Sequence, residues 1–165
     1  MALRIVYSVG KGGVGKTTCA AGLALQASRL WPTLVVSLDP AHNLGDVLGR
    51  KLTGEAVEVS PGLWASEVDM DAAVSGYLAD STQRLQSMYG YLKSINLEGY
   101  LDALKLSPGI EEYATLETME QLLSHARGRY QVVVFDTPPT GLTLRVLALP
   151  RVSLLWGERL TSLRR

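Results

Sequence analysis

Gly10-Lys11-Gly12-Gly13-Val14-Gly15-Lys16-Thr17-Thr18 stands directly after the apolar run Leu3 to Val9. It fits G-x-x-x-x-G-K-[ST], a strand-to-helix loop that cradles phosphate groups. Glycine has no Cβ, so the backbone can take positive φ and bring its N–H groups close to phosphate oxygens. A helix is expected to begin near Lys16, where its first N–H groups and dipole favour an anion. In this pattern Lys16 neutralises the β- and γ-phosphates, and the Thr17 hydroxyl coordinates Mg²⁺. The predicted nucleotide-binding residues are therefore Gly10, Lys11, Gly12, Gly13, Val14, Gly15, Lys16, Thr17 and Thr18. Lys11 is a second lysine beside the first glycine. It is either a solvated charge or a group that stabilises charge developing on a transferred phosphoryl group, as an arginine finger does.

Outward from this loop the chain alternates strands and helices. Leu3 to Val9 reads as a buried strand, short, apolar and ended by glycine. Lys16 to Leu30 reads as an alanine- and leucine-rich helix stopped before Pro32, and Thr33 to Leu38 as a second buried strand ending at Asp39-Pro40. Strand, helix and strand at this spacing predict a right-handed βαβ unit and a parallel sheet. Tyr130 to Phe135 reads as a third buried strand, also followed by an aspartate, Asp136. Ligands of open parallel sheets sit at the carboxyl ends of the strands, where the glycine loop, Asp39 and Asp136 all fall.

The middle of the chain changes character. Leu63 to Val68 allows a short strand. After it, apolar residues recur at helical spacing in three stripes: Ala73, Val74, Tyr77 and Leu78; Leu85, Met88, Tyr89 and Leu92; Leu116, Met119, Leu123 and Ala126. Ser107-Pro108-Gly109 interrupts them. The predicted organisation is one partial domain over residues 1–165, with a helical insertion at about 70–127 between the second and third core strands. Such a domain normally has about five or more parallel strands, and only three or four are legible. The sheet is expected to be incomplete on its C-terminal side, so that the chain is a fragment or a partner supplies the missing edge.

Composition sets outer bounds. A chain of 165 residues suffices for one domain with a sizeable core, and 47 % hydrophobic with 19 % charged residues is ordinary for a soluble globular protein. Lys+Arg and Asp+Glu both total 16, which gives no general attraction to nucleic acid or anionic lipid. No run approaches the ~18 apolar residues of a membrane span, and the N-terminus lacks the pattern of an export signal. A cytoplasmic compartment without membrane insertion is expected. The single cysteine, Cys19, excludes an intrachain disulfide and is expected as a small buried side chain of the first helix. With only His42 and His125 beside it, the donors are too few for a His/Cys zinc site from this chain alone.

Two aspartates carry the remaining chemistry. Asp136 has the position of the carboxylate that holds Mg²⁺ directly or through water, with a turn or helix cap as the alternative. Asp39 is placed to orient or deprotonate an attacking water, or simply to form an Asp-Pro turn. His42 is either a hydrogen-bonded loop residue or an acid or base.

Together these segments resemble the family of arsenical pump-driving ATPases and of ATPases that target tail-anchored membrane proteins. Its deviant phosphate loop is matched by Gly10 to Thr18. Its first switch is matched by Asp39-Pro40-Ala41-His42-Asn43-Leu44-Gly45-Asp46, and its second by Asp136 to Arg145 followed by Val146-Leu147-Ala148-Leu149-Pro150. Pro108-Gly109-Ile110-Glu111-Glu112 resembles the family's motif in the helical insertion. The resemblance implies a P-loop α/β fold, ATP with Mg²⁺ as cofactors, and Lys11, Lys16 and Asp39 as catalytic residues, with Thr17 and Asp136 at the metal. It also implies a homodimer closed through the nucleotide face, with Lys11 reaching the opposite phosphates, and an apolar groove for a client transmembrane helix or contact with a membrane pump. Leu142 stands where many relatives have histidine, and Pro138 where alanine is common. The cysteines that bind arsenite in pump-driving members have no counterpart near Pro108 to Leu123, nor have the zinc-binding pairs of some targeting factors. An ATP-hydrolysing switch is the leading expectation. A metalloid-efflux ATPase subunit and a truncated, inactive fragment that binds nucleotide or helices are the alternatives.

Overall fold

The computed structural model describes residues 2–41, 43–88, 109–138, 141, 143–151 and 154, without the side chains of Leu85 and Met88. In chain order the elements are β1 (Arg4–Ser8), α1 (Lys16–Ser28), β2 (Thr33–Ser37), α2 (Leu44–Leu48), β3 (Val57–Ser60), β4 (Leu63–Glu67), α3 (Met70–Met88), α4 (Ile110–Ala126) and β5 (Val132–Asp136). Residues 143–151 are helical. The strands form one sheet in the order β1-β5-β2-β4-β3. All neighbours are parallel except the edge strand β3, which runs antiparallel to β4.

The central strands explain themselves. Thr33-Leu34-Val35-Val36-Ser37 and Val132-Val133-Val134-Phe135-Asp136 are buried at every position, as parallel strands covered on both faces must be. Each fully buried valine or phenylalanine contributes about 1.5–3 kcal/mol, so β2 and β5 are the most firmly placed strands. On one face α1 lays Ala20, Ala21 and Ala24 against Val35, Leu63, Ala65 and Val134. On the other, Met70 of α3 and Met119 of α4 close over Leu34, Val36, Val133 and Phe135. Ala73, Leu116 and Leu123 pack on the same cluster. The third helical stripe is thus core, and of the first Ala73 joins the cluster, Leu78 is buried and Val74 and Tyr77 are half-buried, while Tyr89, Leu92 and the side chains of Leu85 and Met88 in the second lie outside the described residues.

Two expectations are revised, one is met and one strand is added. The first strand is not buried: β1 is the sheet edge, with Ile5 41 % exposed and Val9 beyond it 44 % exposed. Cys19 is exposed, because the alanines of α1 occupy the sheet-facing side. Leu63–Glu67 is a full strand, paired with β2 from Thr33↔Leu63 to Ser37↔Glu67. A further strand, Val57–Ser60, joins the sheet beside it. The helical stretch therefore enters after β4, still between β2 and β5 in chain order.

Candidate functional site

Parallel pairing aligns the strand ends. Asp136 lies in register with Ser8 on one side and with Ser37 on the other, and Ser37 with Glu67. The segments leaving these ends are the glycine loop after β1, the Asp39 loop after β2 and the Thr137 loop after β5, so three distant parts of the sequence share one edge of the sheet.

The glycine loop uses its glycines where the backbone requires them. Gly13 and Gly15 have φ of 75° and 88°, a region L side chains avoid. Gly15 begins α1, its carbonyl accepting from the Cys19 N–H at 2.9 Å. Ser8 Oγ donates to the Lys16 carbonyl at 2.9 Å and fixes the start of that helix to the end of β1. Lys16 is 8 % exposed, and its Nζ stands 3.8 Å from Asp39 Oδ2. Gly12, Gly13, Val14, Gly15 and Thr18 are exposed, as is Lys11.

Asp39 does two things. Its Oδ1 accepts from the Ala41 N–H at 3.0 Å, which is the turn the Asp-Pro pair suggests, while its other oxygen faces Lys16. The turn and a role at the site are compatible.

Asp136 is fully buried. Ser37 Oγ donates to its Oδ2 at 3.4 Å, and Oδ1 has no hydrogen-bond partner among the described residues. Burial pushes its pKa above the ordinary carboxylate value; the neighbouring Thr17 hydroxyl opposes the shift, the Asp39 charge adds to it, and Lys16 and Ser37 oppose it. An unpartnered, buried carboxylate oxygen beside a threonine hydroxyl is a hard-oxygen donor set that suits Mg²⁺. No group of three or more His, Cys, Asp or Glu residues converges among the described residues.

The segment after β5 is tied to the rest by side chains. Thr137 Oγ1 donates to the Ser8 carbonyl at 2.7 Å, and Thr143 Oγ1 to the Pro138 carbonyl at 2.8 Å. Arg145 Nε meets Glu112 Oε1 of α4 at 2.8 Å. Leu38 and Thr137, each next to a site aspartate, line a cavity of about 10 Å³ with Thr115, Met119 and Val146. His42, Pro108, Leu142 and the stretch 139–140 lie outside the described residues.

The structure therefore brings Lys16, Thr17, Asp39 and Asp136 together. Glu67 escaped sequence reasoning. Its Oε1 accepts from the Gly45 N–H at 2.8 Å and anchors α2, the end of the segment that starts at Asp39. A carboxylate on the last residue of a parallel strand is the signal that marked it. Ser8, Ser37 and Glu112 had positions in the sequence but no role until the strands paired.

A family model described as anion-transporting ATPase matches residues 3–165. The chain is 40 % identical over 159 residues to a protein named ATPase GET3C from Arabidopsis thaliana, covering 86 % of this chain and 40 % of that one. It is 38 % identical over 155 residues to an ATPase GET3 of Ajellomyces dermatitidis, with coverages of 91 % and 44 %. It is 35 % identical over 156 residues to a putative arsenical pump-driving ATPase 2 of Aquifex aeolicus, with coverages of 90 % and 50 %. The chain thus spans half or less of the length of these relatives.

Proposed function

This chain belongs to the anion-transporting ATPase family, and from that premise we propose that it carries the phosphate-handling side of a Mg²⁺-dependent, ATP-hydrolysing switch. Gly10 to Thr18 wraps the phosphates with backbone N–H groups, and Lys16 holds the β- and γ-phosphates. Thr17 and Asp136 hold Mg²⁺, which when bound neutralises charge developing on the phosphates. Asp39 orients the attacking water and takes its proton. Lys11, exposed on the same face, stabilises the transferred group from the opposite subunit of a homodimer. The observation that carries the reading is that the buried Asp136 carboxylate, whose Oδ1 has no hydrogen-bond partner among the described residues, feels Thr17, Asp39 and Lys16, with Lys16 Nζ 3.8 Å from Asp39 Oδ2.

The switch reading extends to a protein client. ATP binding closes the dimer and hydrolysis reopens it. The Asp39 and Asp136 loops pass the change to the helical layer through Leu38, Thr137 and the contacts of Glu112 with Arg145. A client helix in an apolar groove and a cytoplasmic setting belong to this proposal; no described helix is long and apolar enough to cross a membrane. A metalloid-pump role is favoured by the relative named as arsenical pump-driving, but the only cysteine is Cys19. A third reading is binding of nucleotide or helices without turnover.

Calorimetry with Mg²⁺ and a non-hydrolysable ATP analogue tests the first step, and absence of binding, alone or with a supplied complementary half, defeats it. Hydrolysis by wild type beside Asp39→Asn separates switch from binder: equal background rates leave only the binding role. Arsenite-stimulated hydrolysis that survives Cys19→Ser restores the pump reading.

A further inference from the structure

We propose that Ser37 is a positioning residue for the cation site, a role that rests on the reading of Asp136 as the metal carboxylate. Ser37 is 1 % exposed and ends β2 in register between Asp136 and Glu67. Its hydroxyl has one proton to donate, and the acceptor is Asp136 Oδ2 at 3.4 Å. Ser37 Oγ itself accepts from the Asp39 N–H at 3.3 Å. One buried hydroxyl thus joins the carboxylate of one loop to the backbone of the other.

The consequence is an asymmetry in Asp136. Oδ2 accepts from Ser37, and Oδ1 has no hydrogen-bond partner among the described residues. A carboxylate able to rotate would offer either oxygen to a cation; one fixed on a neighbouring strand offers a defined oxygen. Backbone bonds rigidify the arrangement: the Leu38 N–H donates to the Asp136 carbonyl at 2.9 Å, and the Val68 N–H to the Ser37 carbonyl at 3.0 Å. Because the Asp39 N–H donates to the Ser37 oxygen, the Ser37 hydroxyl couples the Asp39 loop to the Asp136 side chain. Alanine at this position removes the hydroxyl and leaves the strand pairing intact.

The test measures cation binding without turnover. Mn²⁺ affinity is read by electron paramagnetic resonance on purified protein saturated with a non-hydrolysable ATP analogue. Wild type is compared with Ser37→Ala, Ser37→Cys and Asp136→Asn, with thermal unfolding of each as the check on folding. Loss of an outer-shell partner typically weakens metal binding about 10–100-fold, and Ser37→Ala is expected in that range. Analogue affinity in EDTA should stay unchanged, and Ser37→Cys, a weak donor of similar shape, should fall between. Wild-type Mn²⁺ affinity in Ser37→Ala, with Asp136→Asn strongly weakened, overturns the role of Ser37. Should the alanine variant not fold, wild-type affinity in Ser37→Cys overturns it equally. Wild-type affinity in Asp136→Asn overturns the cation-site reading itself.

Discussion

Glu112 and Arg145 form an ion pair at 2.8 Å between the first turn of α4 and the helical residues that follow the Asp136 loop. The carboxylate end is 10 % exposed and the guanidinium end 67 %. Removing the arginine leaves a nearly buried charge without its cation, which is costlier than removing both. Arg145→Ala is expected to destabilise by about 1–3 kcal/mol, less than for a fully buried pair because solvent screens the arginine. Glu112→Gln should cost less, and a double-mutant cycle by urea unfolding should give a coupling above about 0.5 kcal/mol. Strictly additive costs would show that the pair contributes nothing.

Asp136 makes stability depend on pH in an unusual direction. Burial raises its folded pKa above the ordinary value of 3.8, so the folded state binds the proton more tightly than the unfolded one. Its contribution is fully present below 3.8 and is lost as pH rises through the raised folded value. In EDTA, Asp136→Asn should therefore be more stable than wild type at neutral pH and nearly equal to it in acid. Added Mg²⁺ and nucleotide should reverse the neutral order, because wild type gains the greater binding energy there. Chemical unfolding across that range decides it, and a constant difference at all pH values would contradict the sign.

Asp39 and Lys11 should separate binding from turnover. Asp39→Asn is expected to lower kcat by about 10²–10⁴-fold, the usual contribution of a general base. Lys11→Ala, read as a finger in trans, is expected to lose about 10³-fold or more in kcat with nucleotide affinity little changed. Mixing Lys11→Ala with Asp39→Asn should restore some turnover, since a heterodimer retains one intact composite site. No restoration in any ratio would contradict a role for Lys11 across a dimer.

Gly45 is held where a side chain does not fit. A Cβ there would stand 2.6 Å from the Arg50 carbonyl oxygen and 3.5 Å from Glu67 Oε2. Backbone must move to admit it, so Gly45→Ala should cost about 1–3 kcal/mol and disturb the 2.8 Å bond from the Gly45 N–H to Glu67. An unchanged urea midpoint would refute it.

The sequence by itself determined what is local. The glycines at 13 and 15, the lysine and threonine that open α1, and the β-branched runs of β2 and β5 are read from neighbours along the chain, because φ, helix initiation and strand burial depend on them. The placement of the glycine loop, Asp39 and Asp136 at strand ends followed from that. Tertiary structure decided the rest. The order β1-β5-β2-β4-β3 exposes β1 although its composition matches a buried strand. It recruits Val57–Ser60 and Leu63–Glu67 to the sheet, and turns Cys19 outward because the alanines of α1 face the core. Above all it sets Ser37 between Asp136 and Glu67. Strand pairing joins residues far apart in sequence, and no local pattern encodes which strand lies beside which.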